Sequence, residues 1–270
     1  MRLWAWAICV CALPASPAHA CAFADLDFAE QAIAANRLIQ AQEMLEAATT
    51  ACSSEERYLA LAAALRLQQG ELADARSRFE ALAVDNPENP QYASGAGRAA
   101  MRQGDNAAAL DWLMRATMMP DADWQAWSSL GIVLDSRRHW AESTLAYEQA
   151  LALAPEEPSA WNNRGYSLIM QRRAEEALPF LEAAQRLAPD DRRIGRNRLI
   201  AAAMLGNYPQ YQLPAESARD WASRLNDAGY GAMLAGNYAD AERLFDQAIE
   251  ASDVYFARAA RNRSLAQEAQ

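Results

Sequence analysis

The strongest constraint on this chain is that part of it, slid back by 34 residues, falls on itself: Trp161 lands on Trp127, Gly165 on Gly131, Leu181 on Tyr147, Ala184 on Ala150 and Pro189 on Pro155. A second slide reaches Ala93, Gly97, Ala109, Leu113 and Ala116, and a third reaches Leu59, Ala63, Ala75, Phe79 and Pro87. A fourth gives Asp25, Ala29, Ala41, Leu45 and Ala48, so five consecutive units share one register without an insertion. Each unit reads as two short amphipathic helices with a turn between them. Neither helix can bury its apolar face alone, so neighbouring hairpins must cover one another.

The recurring residues have a physical reason to recur. Gly or Ala at 63, 97, 131, 165 and 229, and Ala41, Ala75, Ala109, Ala177 and Ala241, remove bulk where the two helices of a hairpin approach. Leu45, Phe79, Leu113, Tyr147, Leu181 and Phe245 fill the space between hairpins. Turn residues return as Asn36, Gly70, Gly104, Gly206 and Gly236, and Pro87, Pro155 and Pro189 close units. Arg138 and Arg172 break the turn pattern, so those two hairpins are expected to turn by another geometry. Beyond residue 191 the register weakens: Gly195 to Gly206 reads as a first helix whose partner is broken by Pro209 and Pro214. It returns after a four-residue shortening, with Gly229, Ala241, Phe245 and Ala248 at the landmarks, and residues 256–270 read as a last amphipathic helix that caps the stack. The expected organisation is 1–20 as a leader, 21–191 as five in-register units, 192–221 as a degenerate unit and 222–270 as a final unit with its cap.

This pattern of Trp, Gly, Ala, aromatic, Ala and Pro resembles the tetratricopeptide repeat, whose unit is 34 residues. The resemblance covers nearly all of residues 22–255 and implies an all-α, right-handed α-solenoid of about seven helix-turn-helix units with a C-terminal capping helix. It also implies a concave groove lined by first helices, at the second, fifth, sixth, ninth, twelfth and thirteenth places of each unit. Those places hold Gln91, Ser94, Arg98 and Arg102, then Gln125 and Ser128, then Asn162, Asn163 and Tyr166, then Arg193, Arg196 and Asn197, then Asn226 and Tyr230. Arg98, Arg102, Gln125, Asn162, Asn163, Tyr166, Arg193, Arg196, Asn197 and Tyr230 are the candidate peptide-binding set. Amides hydrogen-bond a peptide backbone in both directions and Arg holds a carboxylate bidentately. The centre is expected at Asn163, Arg196 and Asn197, with Tyr166 as an apolar wall. Asp135 and Asp227 also fall at groove places.

At a finer level, "NNRGYSLIMQRRAEEALPFLEAAQRLAPDD" and "RRIGRNRLIAAAMLGN", behind a secretory leader, are similar to the TadD-type proteins of tight-adherence (Flp) pilus assembly. That resemblance implies a periplasm-facing scaffold for the pilus secretion machinery. The alternatives within binding proteins are a factor for outer-membrane protein or envelope-polymer biogenesis and a regulator of an envelope enzyme.

The leader itself is read from Arg2, the apolar run Leu3 to Leu13 and the small-residue site Ala18-His19-Ala20, which together predict cleavage before Cys21 and a periplasmic mature protein. Cys9 and Cys11 leave with it. Cys21 and Cys52 remain at neighbouring ends of two antiparallel helices, and a disulfide between them would close a loop of about 30 residues and stabilise by roughly 3 kcal/mol. The competing reading is a lipid anchor on Cys21, which would make the protein a membrane-anchored lipoprotein facing the periplasm. No stretch is apolar enough for a transmembrane helix.

Composition argues against several chemistries. The 270 residues carry a formal charge of −10 and no lysine, which disfavours nucleic acid and anionic membranes, and the cluster Arg192, Arg193, Arg196 and Arg198 lacks interleaved aromatics. His139 is the only histidine after the leader and sits in an inter-helix turn. There is no Gly-rich phosphate loop or HExxH helix, and too few ligands for a metal site. The chain therefore reads as a non-catalytic protein-protein interaction scaffold without cofactor, holding a protein or peptide ligand in its groove.

Overall fold

The computed structural model of the protein describes residues 23–252, 254 and 256–269. These form fourteen helices, with no strand among the described residues. The chain divides into two compact units, Met1–Pro87 and Glu88–Gln270.

In the first unit α1 (Phe23–Ala34) pairs with α2 (Leu38–Cys52), and α3 (Glu56–Gln69) pairs with α4 (Leu72–Asp85). Ala29, Ala41, Ala63 and Ala75 are fully buried where the paired helices cross, and Leu45 and Phe79 fill the space beside them. Arg57 of α3 bridges Asp27 and Glu30 of α1 at 2.5 and 2.6 Å. Cys52 ends α2, is buried at 1 % exposure and is disulfide-bonded. Cys21, its expected partner, lies outside the described residues, as does the leader.

The second unit stacks three hairpins: α5 (Pro90–Gln103) with α6 (Asn106–Met118), α7 (Trp124–Ser136) with α8 (Trp140–Leu153), and α9 (Pro158–Met170) with α10 (Ala174–Leu187). α11 (Arg192–Met204) follows without a second helix. The last hairpin is α12 (Ala218–Leu234) with α13 (Tyr238–Ala251), and α14 (Ala257–Glu268) lies against it. First helices begin on side-chain caps. Asn89, Asp123, Glu157, Asp191 and Ser217 each accept a bond from a free amide of the first turn, and Pro90 and Pro158 occupy positions where no amide donor is needed.

The glycine register is a packing device. A methyl group built on Gly97, Gly131, Gly165 or Gly229 would sit 2.6–2.7 Å from Leu113, Tyr147, Leu181 or Phe245 of the paired helix. Each hairpin therefore closes on one small residue facing one large one, sixteen positions later. This is helix-on-helix contact that no larger side chain permits.

The turns correct one expectation. Arg138 and Arg172 adopt the left-handed conformation, at φ 59° and 61°, just as Gly70, Gly104, Gly206 and Gly236 do at 83–85°. The hydrogen bonds are also the same: Arg138 and His139 donate to Asp135 and Leu134, as Gly104 and Asp105 donate to Met101 and Ala100. One turn geometry serves all these hairpins because the helix-ending carbonyls need the same two donors, and an arginine accepts the left-handed backbone at about 1 kcal/mol of steric cost.

The sixth repeat has lost its second helix. Residues 205–217 run as a non-helical strap between α11 and α12. Arg224 of α12 holds it, pairing Glu216 through two 2.9 Å bonds, donating to the Tyr211 carbonyl at 2.9 Å and lying 4.7 Å over the Trp221 ring. α12 lies directly against α11, at Gly231: a methyl there would be 2.5 Å from the Ile200 carbonyl oxygen and 2.8 Å from the Ala203 side chain.

Candidate functional site

The first helices of the second unit carry the polar face the register predicts, but much of it is used internally. Asn197 donates to Asn162 at 2.9 Å, joining α11 to α9, and the two residues are 4 % and 2 % exposed. Asn163 donates to Ser128 at 3.0 Å, joining α9 to α7, and Asn262 donates to Asn226 at 3.0 Å, joining α14 to α12. These bonds form a diagonal ladder between successive first helices. A buried amide must be paired, and here its partner is a polar residue one or two places off the 34-residue register on the neighbouring helix. Asn162 and Asn197 are therefore structural ties rather than ligand donors, which corrects their place in the candidate set. Asn163 is half-buried, with its amide engaged.

The ladder changes character at both ends. Ser94, at the register place of Ser128, is 1 % exposed, and its hydroxyl has no partner. One turn on, Arg98 is half-buried and donates no hydrogen bond to a described residue; burial holds its pKa below the usual guanidinium value, with Asp123 opposing and Arg102 reinforcing the shift. Arg102 is exposed and Gln125 half-buried.

Where the shortened repeat shifts the register, Arg196 takes the ladder place and faces Asp227. Burial raises the Asp227 pKa, while Arg196, the Asn226 amide and Arg258 pull it back. Arg196 itself is exposed and makes no hydrogen bond with a described residue. Tyr230 lies beside it: burial first, then Tyr166, raises the Tyr230 pKa, and Arg196 lowers it. Tyr166 is 40 % exposed. The structure thus brings Tyr166, Arg196, Asp227 and Tyr230 together from α9, α11 and α12. Arg193 stands apart at the start of α11, donating to Ser159 at 3.2 Å and facing Asp191 at 3.6 Å.

Two features lie outside the candidate peptide-binding set. Asp135, expected in the groove, instead accepts from Tyr147 at 2.9 Å and from Ser167 at 3.1 Å, tying α8 and α9 to α7. Burial, then the Asp135 carboxylate, pushes the Tyr147 hydroxyl well above its usual pKa. Arg164 is 7 % exposed at the register place of Leu130; it donates to Thr144 at 3.2 Å and lies 5.6 Å over the Phe180 ring. Burial lowers its pKa, against the pull of Glu148. The sequence signal was available in both cases, as a hydroxyl or a charge at a place where other repeats hold an apolar side chain.

Among the described residues, no group of three or more His, Cys, Asp or Glu side chains is placed to hold a metal ion. No described helix is long and apolar enough to cross a membrane.

Comparison with known proteins agrees with this architecture. The tetratricopeptide-repeat family model matches residues 60–126 and 128–192. No curated protein matches the chain by sequence. Among solved structures, a thermophilic tetratricopeptide-repeat protein of Thermus thermophilus aligns with TM-score 0.60 at 19 % identity, over 66 % of this chain and 97 % of that one. A tetratricopeptide-repeat protein of Parabacteroides merdae aligns with TM-score 0.54 at 13 % identity, over 91 % of this chain and 98 % of that one. The helix pairs, the small-on-large contacts and the matched segments lead to one conclusion: residues 60–126 and 128–192 match the tetratricopeptide repeat, and the chain has the helix-turn-helix fold of proteins built from it.

Proposed function

We propose that the protein is a non-catalytic scaffold that holds an extended peptide bearing a carboxylate on the first-helix face of its second unit. The observation that carries this is Arg196, an exposed guanidinium without a hydrogen-bonding partner among the described residues, in the same group as Tyr230 and Tyr166. Arg196 anchors the carboxylate bidentately, and the two tyrosines flank the neighbouring peptide residues. Arg98 and Arg102 on α5 extend the positive line along the same face. Asn162 and Asn197 hold the helices at the spacing the site needs and do not touch the ligand.

The reading is tested with fluorescent peptides that differ only in a free or amidated C-terminus. The free acid should bind more tightly, and Arg196→Ala should remove that preference at an unchanged melting temperature. Equal binding of both peptides to the native protein would place the ligand elsewhere.

The leader pattern supports a periplasmic location, and the TadD-type resemblance supports a role in pilus or secretion-system assembly. Fractionation of cells expressing the full chain, with mass spectrometry of the mature N-terminus, tests the location and separates a lipidated Cys21 from a disulfide-bonded one. Capture of pilus secretion components from envelope extracts tests the assembly role.

A further inference from the structure

The ladder between first helices lacks one rung. Asn163 donates to Ser128 and Asn197 to Asn162, each across a step of 35 residues from one first helix to the one before it. The same step joins Ser129 of α7 to Ser94 of α5, and there a serine hydroxyl stands where the later helices carry an amide. Ser94 and Ser129 are both buried, and the Ser94 hydroxyl has no hydrogen-bond partner. At the same place of the next two repeats, Ser128 and Asn162 are paired. Leaving a buried hydroxyl unsatisfied costs free energy, which an arriving acceptor recovers.

A second donor stands one helical turn away. Arg98 is four residues after Ser94, so the two side chains share a face of α5. Arg98 is half-buried and donates no hydrogen bond to a described residue. Of the charges that act on it, Arg102 has the same sign, and Asp123 is engaged as the cap of α7, accepting from the Ala126 amide at 2.7 Å. A hydroxyl and a guanidinium on one face thus lack an acceptor. A carboxylate satisfies both, because it has two acceptor oxygens and the complementary charge; an amide offers one oxygen and no charge.

We infer that Ser94 and Arg98 form a second anchor on the first-helix face, one that takes an acidic side chain of the bound peptide. Only its spacing from the first anchor rests on the Arg196 reading. Ser94 lies three repeats before Arg196, at the same place of its unit. α5 packs on α7, α7 on α9 and α9 on α11. At about 8–10 Å per step, the two anchors are about 24–30 Å apart. An extended peptide spans that distance in about seven to nine residues. The ligand therefore carries a Glu or Asp seven to nine residues before its C-terminal carboxylate.

The test uses the full-length protein and fluorescent Ala/Ser peptides with one Glu placed three to twelve residues before the C-terminus. Each has a Gln counterpart, and each is made with a free and an amidated end. Glu seven to nine residues from the end should bind about tenfold more tightly than Gln there, and the ratio should persist in the amidated series. Arg98→Ala should remove the ratio, as should Arg98→Gln, which keeps part of the stem. Ser94→Ala should reduce it by about threefold at an unchanged melting temperature, because the hydroxyl removed has no partner in the free protein. Equal binding of Glu and Gln peptides, a Glu preference that survives Arg98→Ala, the same preference at every position, or a lower melting temperature for Ser94→Ala overturns the inference. A preference for the free acid without one for Glu refutes this anchor and leaves the Arg196 reading standing. A preference for Glu without one for the free acid refutes the Arg196 reading and supports this anchor. Absence of binding by every peptide at about 1 mM overturns both.

Discussion

Residues 124–191 and residues 192–251 start from the same repeat and solve its central difficulty in opposite ways. In the first region each first helix is covered by its own second helix, with Gly131 against Tyr147 and Gly165 against Leu181. In the second, α11 has no second helix, and α12 closes directly onto it at Gly231. The regular region uses its polar residues to tie repeat to repeat, as Asn197 and Asn226 still do in the shortened one, where the exposed Arg196 makes no hydrogen bond with a described residue. A repeat array is stabilised by interfaces between neighbours. Losing one helix therefore changes which residues meet at the junction of α11 and α12.

The largest expected effect tests how tightly each region closes. Ala177 is fully buried in the regular hairpin, and Ala177→Phe should destabilise by about 3 kcal/mol, the upper end for an overpacked crossing. Gly231→Val should cost a similar ~3 kcal/mol, because the obstacle is the backbone carbonyl of Ile200 rather than a flexible side chain. Thermal melts of both decide the matter. An unchanged melt for Gly231→Val would mean that α11 and α12 are not in close contact.

A smaller effect separates ladder from ligand site. Asn197→Leu leaves Asn162 buried and unpaired and should cost about 2 kcal/mol, while the double change to Leu at both positions should recover most of it. Arg196→Leu, one residue away, should leave stability within about 0.5 kcal/mol, as expected of an exposed side chain. Urea titrations read all three, and a costly Arg196→Leu would move that residue into the ladder.

The smallest effect depends on pH. Burial raises the pKa of Asp227 above its ordinary value. A carboxylate shifted upward contributes its stability below the unfolded-state pKa and loses it as pH rises through the folded-state value. Asp227→Asn should therefore stabilise by about 0.5 kcal/mol at pH 7, and the gain should vanish near pH 3. A gain that persists at pH 3 would show that burial of charge is not its source.

How legible each feature was follows from its range along the chain. The spacing of Gly165 and Leu181 within one hairpin is local, so its pattern announced the small-on-large contact before any coordinates. The turn at Arg172 is not legible from residue type, because the helix end and not the side chain dictates the left-handed backbone there. Asn162 and Asn197 were located on the first-helix face but assigned to a ligand, since a polar side chain looks the same in sequence whether it meets water or its repeat partner. Asp135 falls at a groove place by register, and only the structure shows its carboxylate accepting from Tyr147 and Ser167.

Residue order is enough to specify the repeat, the all-helical class, the hairpin register and the place where the array falters, because periodic burial of small and large side chains is written directly in it. Which polar groups face one another across hairpins follows from the packed fold alone. Those pairings join residues 31 to 36 positions apart, and whether an amide is tied or a guanidinium left free depends on burial, which residue order alone does not specify.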